Sequence, residues 1–310
     1  MSALICGSLA YDTIMVFPDR FKEHILPEKV HILNVSFMVP QMRKEFGGCA
    51  GNIAYNLNLL DGDGFPMGTV GQDFYRYANW LSKCGIEQKY IEQIENEYTA
   101  QAFITTDLDD NQITAFHPGA MNCSHNNDIP TDEGITLVLI SPDGKEGMVQ
   151  HAQQCHDAGI PFMFDPGQGM PMFNSEELLN FLEQATYVCV NDYESQLLQE
   201  RTGLSMQQIA DKVDAAIVTR GGEGSIIYTE GKSINIPAVK ASSVKDPTGC
   251  GDAYRGGLIY GLMNEYDWEA TGRIAALMGA IKVAHNGTQN HKVTLEAFKQ
   301  KYEQEFGQIL

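Results

Sequence analysis

Between residues 135 and 222, short apolar runs alternate with segments of helical spacing. ITLVLI (135–140), IPFMFDPG (160–167), TYVCVND (186–192) and AAIVTRGG (215–222) carry consecutive apolar residues, LVLI, FMF, VCV and AAIV, rather than one at every second position. Such strands are buried on both faces, which requires a sheet covered on both sides. Between them lie KEGMVQHAQQCHDAG, which ends in glycine, SEELLNFLEQA with Ser175 as its expected N-cap, YESQLLQERTG, and SMQQIADKV with a Ser205–Gln208 capping box. Strand and helix in strict alternation predict a parallel sheet of the α/β class. The last third is helical: GDAYRGGLIYGLMNEY, DWEATGRIAALMGAIKVAHNG and TLEAFKQKYEQEFG carry apolar residues at i, i+3, i+4.

The first 120 residues read differently. SALICGS predicts a strand and AGNIAYNLNLL a helix following Gly47 and Gly48. TAQAFITTDLDDNQITAFHPGA (99–120) is two alternating segments around DLDDN, a hairpin. HILNVSFMV (31–39) also reads as extended. Strands with polar faces do not suit the main sheet, so segments of about 11–17, 30–46 and 97–120 are assigned to a small β-sheet that projects as a lid from a single domain spanning 1–310.

With 310 residues, 43% of them hydrophobic, the chain can bury one sizeable core. Forty acidic against 21 basic residues leave a formal net charge of −19, which argues against nucleic-acid binding and anionic membranes. Seven scattered cysteines without a CxxC pair, no basic start in MSALICGSLAYD and no long apolar run lead us to expect reduced thiols, no signal peptide and a cytoplasmic protein.

An anionic ligand must then be held by local means, and DPTGCGDAYRGG (246–257) offers one. Glycines at the start of a helix free several backbone N–H groups to converge on one spot, reinforced by the helix dipole. The lysine of a P-loop is missing, and the turn does not follow the first strand as a dinucleotide fingerprint would. Asp252 either caps the helix or serves as general base beside a phosphoryl acceptor. Arg255 opposes the helix dipole, so it is expected to be either a solvated surface residue or the neighbour of an anion.

DPTGCGDAYRGGL resembles the C-terminal signature of the PfkB/ribokinase family, with Cys250 where that family usually has Gly or Ala. FGGCAGNIAYNLNLL (46–60), NDYE (191–194) and TRGGEGS (219–225) are similar to its other marks, in family order over nearly the whole chain. Within the family, CGSLAYD, RFKEHILPEKVHILNVSF, TTDLDDNQITAFHPGAM and FDPGQGM look most like bacterial adenosine kinases and related purine-nucleoside kinases.

The resemblance implies a ribokinase-like three-layer α/β/α fold with a mostly parallel sheet and a lid. It implies that Asp252 deprotonates the 5′-hydroxyl of a nucleoside for attack on ATP, with the amides of Gly249, Cys250 and Gly251 as anion hole. Asp12, taken to end the first strand, would hold the ribose diol with Gly48 and Asn52, and Ser8 and Ser36 would join them. Phe116 and Gln168 are the candidates for the nucleobase: an aromatic can stack on a purine, and an amide offers donor and acceptor together. Asn191, Glu194, Thr219, Gly221 and Gly224 would serve the triphosphate, with Mg²⁺ reached from Glu194 through water, and Asn286 and Gln289 would border the adenine of ATP. Carbonyls near Asp246 and Thr248 would take a monovalent cation such as K⁺.

Adenosine is the expected acceptor. A broader nucleoside range, a sugar kinase, and a non-catalytic nucleoside sensor on the same fold are the alternatives. An exposed lid edge further predicts a homodimer joined through the lid.

Overall fold

The computed structural model describes residues 2–25, 34–109, 111–131 and 134–310. Nine strands form the main sheet: β1 (Ser2–Cys6), β4 (Gly64–Val70), β5 (Tyr90–Gln93), β8 (Ile135–Ile140), β9 (Phe162–Phe164), β10 (Tyr187–Asn191), β11 (Ala215–Thr219), β12 (Ser225–Thr229) and β13 (Lys232–Ile236). Their order is β13-β12-β11-β10-β9-β8-β1-β4-β5, and only the pairings β11–β12 and β12–β13 are antiparallel.

The apolar runs are buried on both faces, as their composition requires. Along β8, Leu137 and Leu139 belong to a core shared with α1 (Cys49–Asn58), α7 (Cys250–Met263), α8 (Trp268–Val283) and α9 (Leu295–Phe306). Val138 and Ile140 point the other way, into a core with α3 (Lys145–Ala158), α4 (Ser175–Gln184), α5 (Asp192–Thr202) and α6 (Met206–Ala210). The result is three layers, α/β/α. Helix α2 (Tyr75–Cys84) packs on the first of these cores through Tyr77 and Leu81. Strands β4 and β5 and helix α2 were not foreseen from the sequence. Helix α4 is capped by Asn174 in a capping box with Glu177, one residue earlier than the expected Ser175.

A second sheet has the order β3-β2-β6-β7, from β2 (Ala10–Val16), β3 (Gln41–Gly47), β6 (Ala100–Thr106) and β7 (Gln112–His117). The 99–120 hairpin is therefore present as β6 and β7. Of the segment HILNVSFMV, residues 31–33 lie outside the described residues, and 34–39 have no regular structure. The strand in that part of the chain is QMRKEFG instead. β7 is an edge strand, exposed at every position. Among the described residues, no helix is long and apolar enough to cross a membrane.

Candidate active site

The parallel strands deliver their C-terminal ends to one edge of the main sheet, where open α/β sheets hold ligands. Gly7 and Ser8 follow β1, Asp165 follows β9, Asn191 ends β10, and Thr219 ends β11 in register with Asn191. Helices α1 and α7 start at this same edge.

Helix α7 opens on Gly249, whose φ of 75° is left-handed. A Cβ there would also lie 3.0 Å from the Thr288 methyl, so both the turn and the close approach require glycine. The Cys250 amide donates to the Pro247 carbonyl at 3.1 Å. Of the three expected anion-hole amides, that one is already engaged. Those of Gly249 and Gly251 have no turn or cap partner among the described residues.

Asp252 does not cap α7, which settles one of its two readings: the N-cap is Gly249, and no side-chain cap bond forms. Its carboxylate instead accepts a hydrogen bond from Asn52 Nδ2 at 2.8 Å. Burial raises the Asp252 pKa to about 6; Asn52 and Arg255 pull against that shift, while Asp165 and Asp12 add to it. A carboxyl tuned this way is ionised at neutral pH and more basic than an ordinary aspartate.

Asn52 is buried on the first turn of α1, held from its other side by Gln289 Nε2 at 2.9 Å. Gln289 also donates to the Tyr77 hydroxyl at 2.6 Å and accepts from Trp80 Nε1 at 2.8 Å. The expectation that Gln289 borders the adenine of ATP is thereby corrected: with every amide atom engaged in the interior, it braces Asn52. Asn286 is exposed on the same loop.

Asp12 lies on β2 of the small sheet, not at the end of the first strand. Burial lifts its pKa to about 6, with Glu45 and Asp246 adding to the shift. A Cβ at Gly47 would collide with the Asp12 carboxylate, and one at Gly48, at φ 86°, would sit 2.5 Å from the Ser8 carbonyl oxygen. These glycines let α1 begin directly beneath Asp12. Ser8 Oγ accepts from the Cys49 amide at 3.1 Å and so fixes the start of α1. Across the small sheet, Asp12 pairs with Ala102, which pairs with Phe116, so the three share one face. Phe116 is 52% exposed, which rules out the hairpin core as its role. Gln168 and Ser36 are exposed.

Asn191 and Glu194 form a reciprocal capping box on α5: the Glu194 amide donates to Asn191 Oδ1 at 2.7 Å, and the Asn191 amide donates to Glu194 Oε2 at 2.8 Å. Burial raises the Glu194 pKa. One carboxylate oxygen is thus committed to the helix. Among the described residues, no three His, Cys, Asp or Glu side chains gather to hold a metal. Thr219, Gly221 and Gly224 line a cleft of about 670 Å³, closed by Tyr254 of α7 and by Gly279 and Val283 of α8.

Arg255 is not a solvated surface residue. It is 6% exposed and makes a two-pronged ion pair with Asp165, Nε to Oδ2 at 2.8 Å and Nη2 to Oδ1 at 3.0 Å. The anion that its position called for is a side chain of the chain itself. Asp165 was not singled out from sequence; an aspartate ending a fully apolar run was the available signal. The Asp246 carbonyl, expected to face a monovalent cation, accepts a hydrogen bond from Lys282 Nζ at 2.7 Å.

The pfkB family carbohydrate kinase profile matches residues 8–295. The chain belongs to that family. It is 33% identical over 279 residues to a nucleoside kinase of Methanocaldococcus jannaschii, covering 89% of this chain and 91% of that one. A structure of the Burkholderia thailandensis nucleoside kinase in complex with inosine superposes with a TM-score of 0.90 at 50% identity, covering 99% of both chains. An adenosine kinase of Sinorhizobium meliloti, 20% identical with a TM-score of 0.78 over 97% of this chain and 98% of that one, shares the ribokinase-like fold.

Proposed function

We propose that this pfkB-family chain transfers the γ-phosphoryl group of ATP to the 5′-hydroxyl of nucleosides. The observation that carries the reading is the placement of Asp252. Its carboxyl, raised to about 6, is held by Asn52 beside a glycine turn at a helix N-terminus, and its shift is coupled to Asp12 across the site. In this reading the ribose diol donates to the Asp12 carboxylate, which leaves the 5′-hydroxyl toward Asp252. Asp252 takes the proton as the oxygen attacks phosphorus, and the bond to the ADP leaving oxygen breaks. The amides of Gly249 and Gly251 and the N-terminus of α7 bear the charge that builds on the transferred group. Mg²⁺ would neutralise the phosphates; with a single carboxylate at hand, it would be held chiefly by phosphate oxygens, with Glu194 reaching it through water.

Acceptor range is the finer question. Adenosine is the first expectation with a broader nucleoside range as its alternative, and support lies at least as much with the broad nucleoside kinase. Two structures of the same relative, the Burkholderia thailandensis nucleoside kinase, at 50% and 52% identity, hold inosine, the second also ADP. Gln168, exposed three residues after Asp165, could turn its amide to a 6-amino or a 6-oxo purine. Phe116, on the Asp12 face and about two strand spacings away, roughly 10 Å, would stack on either base in this reading. Its exposure on an unpaired edge strand also supports a homodimer through β7.

The deciding experiment measures ADP release with adenosine, inosine, guanosine, cytidine, ribose and fructose. Turnover with both adenosine and inosine and none with the free sugars is the expected result. Turnover with ribose or fructose alone would replace this reading by a sugar kinase.

A further inference from the structure

Lys282, in the last turn of α8, has 0% exposure, yet among the described residues no carboxylate pairs with it. Its Nζ donates to the Asp246 carbonyl at 2.7 Å and to the His285 carbonyl at 3.4 Å. A buried ammonium is costly unless its donors are met. Here two of its three N–H groups are met by backbone carbonyl oxygens of two loops, the ligand type that takes up dehydrated alkali cations.

The two loops are the ones that shape the anion-binding turn. Asp246 has every polar group engaged. Its amide donates to the Val283 carbonyl at 3.2 Å, its carbonyl accepts from Lys282, and its carboxylate accepts from the amides of Thr248 at 2.9 Å and Gly287 at 2.8 Å. Three residues after Asp246 comes Gly249, packed against Thr288. Burial lowers the Lys282 pKa from the usual lysine value, against an upward pull from Asp246, Cys250 and Asp252. A K⁺ ion between these loops, as expected from sequence, would have to compete with Lys282 for the Asp246 carbonyl.

We propose that Lys282 is a built-in monovalent cation: its Nζ replaces K⁺ between the 246–249 and 285–288 loops, positions the Gly249–Gly251 turn for the transferring phosphate, and makes phosphotransfer independent of alkali cations. This rests on the kinase reading above. Lys282 is a positioning residue; it acts through the Asp246 carbonyl, and the turn makes the contact with phosphate.

The test uses the full chain at constant ionic strength in choline, sodium, potassium or ammonium chloride. Wild-type kcat and the KM for ATP are expected to agree across the series to within about twofold. Lys282→Met keeps the chain length but removes the donors. It should lose about tenfold or more in kcat in choline and recover severalfold in potassium or ammonium, a rescue that a merely structural lysine would not show. Activation of the wild type by potassium of about fivefold or more would overturn the proposal, and so would a Lys282→Met variant with undiminished turnover in choline. If the variant does not fold, the wild-type series alone decides. If no nucleoside in the panel supports turnover, the kinase reading fails by itself. Calorimetric ADP binding in potassium against choline then decides the cation question: equal affinity supports Lys282, and tighter binding in potassium overturns it.

Discussion

Asn52 Nδ2 donates to Asp252 Oδ2 at 2.8 Å, joining the first turn of α1 to the first turn of α7 across 200 residues of chain. In the proposed reading the second carboxylate oxygen of Asp252 is left for the substrate proton, and the bond ties Asp252 to the helix that follows Gly48.

Asp252→Asn should fold and bind ADP as the wild type does, because the amide is nearly isosteric and caps nothing. Loss of a general base costs about 10²–10⁴ in rate. Single-turnover kinetics with ATP and inosine check this; a kcat near wild type would remove Asp252 as the base.

The raised pKa of Asp252 gives activity and stability opposite pH trends. If Asp252 is the base as proposed, its ionised form is the active one, and kcat/KM should rise with pH through about 6 and level off above. The folded state binds a proton more tightly than the unfolded chain, whose value is the ordinary 3.8. The stability from that proton is present below 3.8 and lost as pH rises through about 6. Urea unfolding of wild type and Asp252→Asn across this window isolates the effect: the wild type should weaken relative to the variant as pH rises. A constant difference would contradict the shift.

Gln289→Leu leaves the Trp80 indole N–H without its acceptor and removes the N–H donor that the Tyr77 hydroxyl and Asn52 Oδ1 accept from, so Asn52 loses its brace. Each unmet buried group costs about 1–3 kcal/mol. The expected signature is a lower melting temperature with kcat reduced more than the KM for ATP. A rise in ATP KM alone would return Gln289 to the nucleotide side.

Asp165→Leu strands the buried Arg255 guanidinium and should cost about 3–5 kcal/mol. Combining it with Arg255→Met should recover much of that loss, since both charges then leave the interior. Denaturant titration of the two single variants and the double variant gives the coupling; strictly additive losses would show that the pair is not a unit.

Phe116→Ala should weaken nucleoside binding by about 1–3 kcal/mol if the ring stacks on the base. The ring is exposed on an edge strand, so global stability should change little. Calorimetric titration with inosine measures the loss, and an unchanged Kd in a folded variant removes Phe116 from the base site.

Local pattern determined a good deal of this protein. Apolar runs such as ITLVLI could only be strands buried on both faces, and Leu139 and Ile140 do enter opposite cores. The polar alternation of 99–120 excluded that segment from the main sheet. The glycines of DPTGCGD marked a helix start with spare amides. Where polar competition was close, local reading faltered: QMRKEFG, with few apolar residues, forms the lid strand that HILNVSFMV was expected to supply.

Partnership was decided only in three dimensions. Arg255 and Asp165 are 90 residues apart, and Gln289 and Asn52 are 237 apart. Nothing in the periodicity around Lys282 says that its Nζ will meet a carbonyl 36 residues away. Periodicity reports which face of an element is apolar, a property of neighbours in sequence. Which buried polar group meets which depends on strand order: β9 lies two strands from β11 and near the start of α7, and that order sets Asp165 against Arg255. A buried charge must find a counterpart, but the fold alone chooses it.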